Sequence, residues 1–176
     1  MDLVVSDANI LIHFAKLNQL KILKEIFSEI FITEIIYNES VTQGKFSNKK
    51  DSFILEDFIQ KEFITVKKVA NEEVIAIKKK YNIHDGESSI IALAKKFNIN
   101  CCLTNESQVR KVIKSEGIEV IGTLGIILKA YTTKKINKTK CFDLLKFIQS
   151  NSIDFRIHPK LINRIIKQIH NKREVI

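Results

Sequence analysis

The chain has 176 residues, 45% of them hydrophobic and 28% charged, with a net charge of +9; this is ordinary for a globular domain, and the length allows roughly 70% of the unfolded surface to be buried. No apolar run approaches the ~18 residues of a membrane span, and the start, with Asp2 and Asp7 but no basic region, does not read as a secretory signal. The odd set Cys101, Cys102 and Cys141 fits a reducing compartment, so a cytoplasmic protein without membrane attachment is expected.

Residues 3–6 read as a buried strand and 9–16 as the helix that follows it. Helical spacing of Leu20, Leu23, Ile26 and Phe27 predicts a helix over 19–27, and 30–32 a short strand. Thr33 can cap a helix carrying Ile35 and Ile36 and ending near Ser40. The polar stretch 42–51 is expected to be a mobile loop, with a helix over 52–61 and a strand over 64–68. Helices over 71–81 and 85–97 precede a buried strand at 101–104. A helix over 107–116 stops at Gly117, a good residue after a helix end. A strand at 118–121 and helices over 124–132, 141–150 and 159–170 complete the chain, with a short extended piece at 155–157. Strands alternating with helical crossovers predict an α/β fold, a mostly parallel sheet with helices on both faces.

The charge is unevenly placed. Residues 1–126 hold 17 Lys/Arg and 17 Asp/Glu, whereas 127–176 hold 12 and 3. The whole excess therefore lies in the last 50 residues. Two readings stand: a footprint for a phosphate-backbone partner, or a solubilising lysine face. Because most of these cations are Lys, base-specific readout is not implied.

Asp7 is the first candidate functional residue. It follows the first strand, at the carboxyl edge where α/β sheets bind ligands. It also fits a helix cap. Three further acids occupy comparable places. Glu39 lies in the helix after the second strand, beside Ile35 and Ile36. In the run from His84 to Ala94, Asp85 fits an N-cap, while Glu87 shares a helix face with Ile90, Ile91 and Ala94. A carboxylate on a buried face is costly unless paired or metal-bound. Asn105 and Glu106 follow the 101–104 strand as Asp7 follows the first, and Ser107 can cap the next helix. Converging carboxylates repel unless a cation lies between them. Their all-oxygen donors suit Mg²⁺ or Mn²⁺ rather than zinc. Two such ions about 3.5–4 Å apart can activate water and stabilise the leaving oxygen of a phosphodiester. His13 reads as a core or rim residue, and His84 as a loop histidine that could assist proton transfer. A receiver-type use of Asp7 would need a Lys at a strand end near these acids, and the strands that lead to them, ending at Ser6, Ile32 and Thr104, do not end in one.

These motifs, in order, resemble the PIN-domain family of metal-dependent ribonucleases. The matching stretches are Val5 to Ile12, Tyr37-Asn38-Glu39, Asp85 to Ala94, and Leu103 to Glu106. Residues 119–128 and Arg110 are similar to a toxin-like subfamily encoded beside antitoxins, and Phe155-Arg156-Ile157 to its C-terminal extension. The resemblance implies a three-layer α/β/α nuclease domain at 1–130, with a basic helical extension at 131–176 packed on it. It implies catalytic acids at Asp7, Glu39, Glu87 and Glu106, and Mg²⁺ or Mn²⁺ held by Asp7, Glu87, Glu106 and Asn105. Asn9, which would order the first acid, Thr104, Asp85 and Arg110 would support them. Glu106 departs from the family's usual Asp. The implied activity is endoribonuclease cleavage leaving 5′-phosphate and 3′-hydroxyl ends. The implied partners are an RNA substrate, an antitoxin protein and a second copy. The alternative is a catalytically silent PIN fold that binds RNA or a protein.

Overall fold

The structure, a computed structural model, describes residues 2–61 and 63–171. Two compact units make up the chain, Met1–Thr123 and Leu124–Ile176, where the sequence suggested 1–130 and 131–176.

The first unit is built on five parallel strands in the order β3-β2-β1-β4-β5: β1 (Asp2–Ser6), β2 (Phe27–Thr33), β3 (Ile64–Lys67), β4 (Cys101–Leu103) and β5 (Glu119–Ile121). The fold is the expected three-layer α/β/α arrangement. The central strand β1 is a short apolar run whose Val4 and Val5 are wholly buried, as parallel strands covered on both faces require. β1 leads into α1 (Ala8–Lys16), and α2 (Leu20–Ile26) returns the chain to β2. β2 starts at Phe27, earlier than the apolar triplet 30–32 indicates, because Phe27 pairs with Asp2. Helix α7 (Asp85–Lys96) lies across β1, β2 and β4 and buries Ile90, Ile91 and Leu93 completely.

The main departure lies between β2 and α5 (Lys50–Gln60). The polar stretch expected as a mobile loop is mostly helical: α3 (Glu34–Tyr37), a π-helical turn over Asn38–Thr42, then α4 (Gln43–Phe46). Two contacts fix it. Ser40 Oγ donates back to the Ile36 carbonyl (2.7 Å). Gly44 packs so closely on α5 that a Cβ there would sit 2.7 Å from the Ser52 Cβ. Polar composition marks exposure, not lack of structure.

After β3 come α6 (Asn71–Tyr81), α7, β4, α8 (Ser107–Ser115) and β5. Gly117, at φ +77°, ends α8 as expected; the Ile118 amide reaches back to the Ile113 carbonyl (3.1 Å). Glu116, one residue earlier, draws α6, α7 and α8 together. Its carboxylate takes Lys80 (3.0 Å), Lys95 (2.6 Å) and the Tyr81 hydroxyl.

The second unit carries most of α9 (Thr123–Thr132), then α10 (Lys138–Ser150), α11 (Ser152–Phe155) and α12 (Pro159–Asn171). Asn137 Oδ1 caps α10 by accepting from the Lys140 amide (2.8 Å), so α10 starts before Cys141. The extended piece expected at 155–157 is not present: Phe155 ends α11 and Arg156 turns the chain in a left-handed conformation (φ 48°). Pro159 opens α12, where its missing N–H costs nothing. No helix among the described residues is long and apolar enough to cross a membrane.

Candidate active site: an acidic cleft at the carboxyl edge of the sheet

Each acid is delivered by a different local device. β1 ends at Ser6, and the Asp7 amide still bonds to the Leu103 carbonyl (3.0 Å), so Asp7 is held by the sheet. Asp7 is buried and caps α1: its Oδ1 accepts from the Ile10 amide (2.8 Å). Capping and facing the cleft are thus simultaneous roles.

Glu39 sits on the π-helical turn. The extra residue in such a turn breaks the 3.6-residue phase and re-aims the side chain, a device frequent at functional sites. The turn is anchored from below. Thr33 Oγ1 caps the Ile36 amide (3.2 Å) and lies 2.8 Å from Ser89 Oγ, which donates to the Gly86 carbonyl (2.7 Å). The segment carrying Glu39 is therefore tied to the helix carrying Glu87. Gly86 completes the fit: a Cβ there would lie 2.8 Å from Glu39 Oε1.

At the start of α7 the cap is not the residue expected. His84 is the N-cap, and Asp85 is the first helical residue, exposed and paired with Lys78 (2.9 Å). Glu87 takes the capping duty, its Oε2 accepting from the His84 amide (2.9 Å). Its other oxygen is uncommitted, and Glu87 lines the cleft.

The turn after β4 sorts its residues to two sides. Glu106 faces the cleft and is itself the N-cap position of α8, which displaces Ser107 from the cap. Thr104 joins the two acids, donating to Asp7 while its Oγ1 accepts from the Glu106 amide (3.2 Å). Asn105 points the other way. Its Oδ1 accepts from the Thr123 amide (2.9 Å), and its Nδ2 donates to Thr123 Oγ1 (2.9 Å) beside His13 Nδ1 (3.2 Å). With both ends used and the side chain outside the cleft lining, Asn105 acts as a turn anchor, in place of the metal ligand expected. Gly122 permits this packing, since a Cβ there would meet Asn105 Oδ1 at 2.7 Å. Arg110 also serves the turn, its Nη1 donating to the Thr104 carbonyl (2.9 Å). Asn9 lines the cleft but makes no hydrogen bond to Asp7; Thr104 and the Ile10 amide provide that ordering.

Asp7, Glu39, Glu87 and Glu106 thus line one cleft of about 660 Å³, with Asn9, Asn82, His84 and Gln108 among its walls. Burial lifts the Asp7 carboxyl from its ordinary 3.8 to about 6, against the Thr104 and Ile10 hydrogen bonds and with help from the charges of Glu106 and Glu39. Burial also raises Glu39, joined by the charges of Glu87 and Asp85 and opposed by His84. The acids form two electrostatically coupled sets sharing Glu39. Among the described residues, no three His, Cys, Asp or Glu side chains gather closely enough to hold an ion as they stand. The donor set nevertheless fits a hard divalent cation: all-carboxylate, mutually repelling, and partly desolvated.

The sequence reading missed the Thr33–Ser89 tie, the Asn105–Thr123–His13 cluster and the close approach at Gly86. The first two are buried polar pairs separated by 56 and 18 residues or more, which local pattern cannot pair.

A PIN-domain family model matches residues 3–171. Among solved structures, PAE2754 from Pyrobaculum aerophilum is similar with a TM-score of 0.52 and 15% identity, covering 73% of this chain and 97% of that one. At that identity the likeness speaks to fold alone. No curated protein matches the chain. With the family match spanning almost every residue, the chain belongs to the PIN-domain family, whose members are generally nucleases that use divalent metal ions.

Proposed function

We propose that this protein is an Mg²⁺- or Mn²⁺-dependent endoribonuclease. The observation that carries the reading is a buried Asp7, raised to about 6, facing Glu39, Glu87 and Glu106 across one cleft. Asp7, Glu87 and Glu106 would hold the metal; the three glutamates have long side chains that can swing toward Asp7. When bound, the ion would lower the pKa of water and offset charge on the phosphate. Glu39 would orient the attacking water and accept its proton. The water oxygen forms the new bond to phosphorus as the bond to the 3′-oxygen breaks. The 3′-oxygen takes up a proton, leaving 5′-phosphate and 3′-hydroxyl ends.

The similarity of residues 119–128 and Arg110 to the toxin-like subfamily supports a further part of the proposal. The protein would act in the cytoplasm as the toxin of a pair, restrained by an antitoxin protein, and would form a homodimer.

The ungathered acids and the extra methylene of Glu106 favour a second reading, a silent fold that binds RNA without cutting it. One experiment separates the two: RNA with Mn²⁺, comparing Asp7→Asn with the parent. Cleavage by the parent, reduced by at least about 10²-fold in the variant, supports the nuclease. Equal cleavage by both sinks it. Salt-sensitive binding without cleavage, and no heat on Mn²⁺ titration, favours the silent fold.

A further inference from the structure

We propose that the exposed cationic face of α12 is a docking surface for the phosphate backbone of single-stranded RNA. The identity of the polyanion rests on the nuclease reading; the surface rests on the helix itself.

At 100° per residue, Lys160, Arg164 and Lys167 fall within about 60° of one another, in a stripe about 10 Å long. All three are exposed. Ile162 and Ile169 lie on the opposite side and are buried. The helix contains no Asp or Glu. Lys160 and Arg164, at i and i+4, repel each other with no acid to compensate, a small but uniform cost to the helix.

The first unit handles its cations differently. It holds 17 Lys/Arg and 17 Asp/Glu, and several are paired: Lys45 with Glu56, Lys61 with Asp57, Lys78 with Asp85. The second unit holds 12 and 3. None of the three α12 cations has an ion-pair partner among the described residues. A face that served only solubility would intersperse both signs. A single-sign stripe is instead complementary to a row of phosphates, which gain affinity by releasing counterions. Adsorption to a lipid surface is disfavoured because it needs the helix's apolar face, and Ile162 and Ile169, at the centre of that face, are already buried.

The test uses the full chain, a labelled uridine 20-mer and EDTA, so that cleavage plays no part. Binding is measured across a salt series for the parent, for Lys160→Ala/Arg164→Ala/Lys167→Ala, and for the control Lys16→Ala/Lys21→Ala/Lys79→Ala. The control removes the same charge from exposed lysines of the first unit. Each phosphate contact contributes ~0.7 to the slope of log affinity against log salt, so the stripe variant should lose about 2 from that slope. The control should lose much less. Equal losses in both variants would show a net-charge effect and overturn the proposal. So would a parent that fails to bind RNA, or that binds only phosphatidylserine vesicles. Cleavage with Mn²⁺, assayed separately, distinguishes failure of the docking surface from failure of the nuclease: RNA held but never cut leaves the first standing without the second.

Discussion

At the scale of single residues, Asp7 shows how one side chain serves structure and chemistry at once. Its Oδ1 satisfies the Ile10 amide, so the carboxylate cannot leave the helix start. The same burial makes its charge expensive. Because the folded pKa, about 6, lies above the ordinary 3.8, Asp7 stabilises the fold fully only while protonated. The stability of the metal-free protein should therefore fall as pH rises from about 4 to about 6 and level off above. Asn caps a helix as well as Asp. Asp7→Asn should flatten that pH dependence and raise stability at pH 7 by roughly 2–3 kcal/mol, read from urea unfolding at pH 4 and pH 7. A variant less stable than the parent at pH 7 would contradict this. Gly86 gives a second residue-scale expectation. Alanine is the better helix former by up to ~1 kcal/mol, but its Cβ would collide with the Glu39 carboxylate, the far end of a flexible side chain. Gly86→Ala should leave the melting temperature within a few degrees of the parent while cutting RNA cleavage at least tenfold. Full activity in that variant would show that the position of Glu39 does not matter.

At the scale of elements, the acids depend on ends and turns: a strand end for Asp7, a π-helical turn for Glu39, a capping box for Glu87 and an N-cap for Glu106. Helix ends are set by caps, and more than one neighbouring residue can supply a cap. His84 displaced Asp85 as the cap because Glu87 accepts the His84 amide, and a sequence with acids at both positions 85 and 87 permits either arrangement. The π-helical turn left no pattern to read, since one inserted residue simply blurs the helical spacing. The tie made by Glu116 works between elements. Lys95, Tyr81 and Lys80 hold its carboxyl down to about 2, so this contribution to stability is present above the ordinary glutamate range and is lost as pH falls toward 2. Glu116→Gln should cost about 1 kcal/mol at pH 7, measured by thermal melting, and the difference from the parent should shrink in acid. No difference at pH 7 would mean that the three contacts cancel against their own ordering cost.

At the scale of the whole molecule, the sequence by itself determined the layout. Short apolar runs separated by helical spacing specify parallel strands buried on both faces, and these positions need no knowledge of distant partners. Three of the four acids were visible for the same reason: Asp7 and Glu106 follow strands and Glu87 opens a helix, and those junctions are local, whereas Glu39 lies inside the π-helical turn. The charge partition, neutral to residue 126 and +9 beyond it, is pure composition. Tertiary structure alone decided which polar residues face the cleft. Asn105 and Glu106 are neighbours with equally suitable oxygens, yet Thr123, 18 residues on, claims the first and leaves the second to the cleft. Tertiary structure also ordered residues 42–46, where Gly44 meets Ser52, and tied Thr33 to Ser89 across 56 residues. Hydrophobic periodicity is written in neighbouring residues. The satisfaction of buried polar groups is written in partners that only the folded chain brings together.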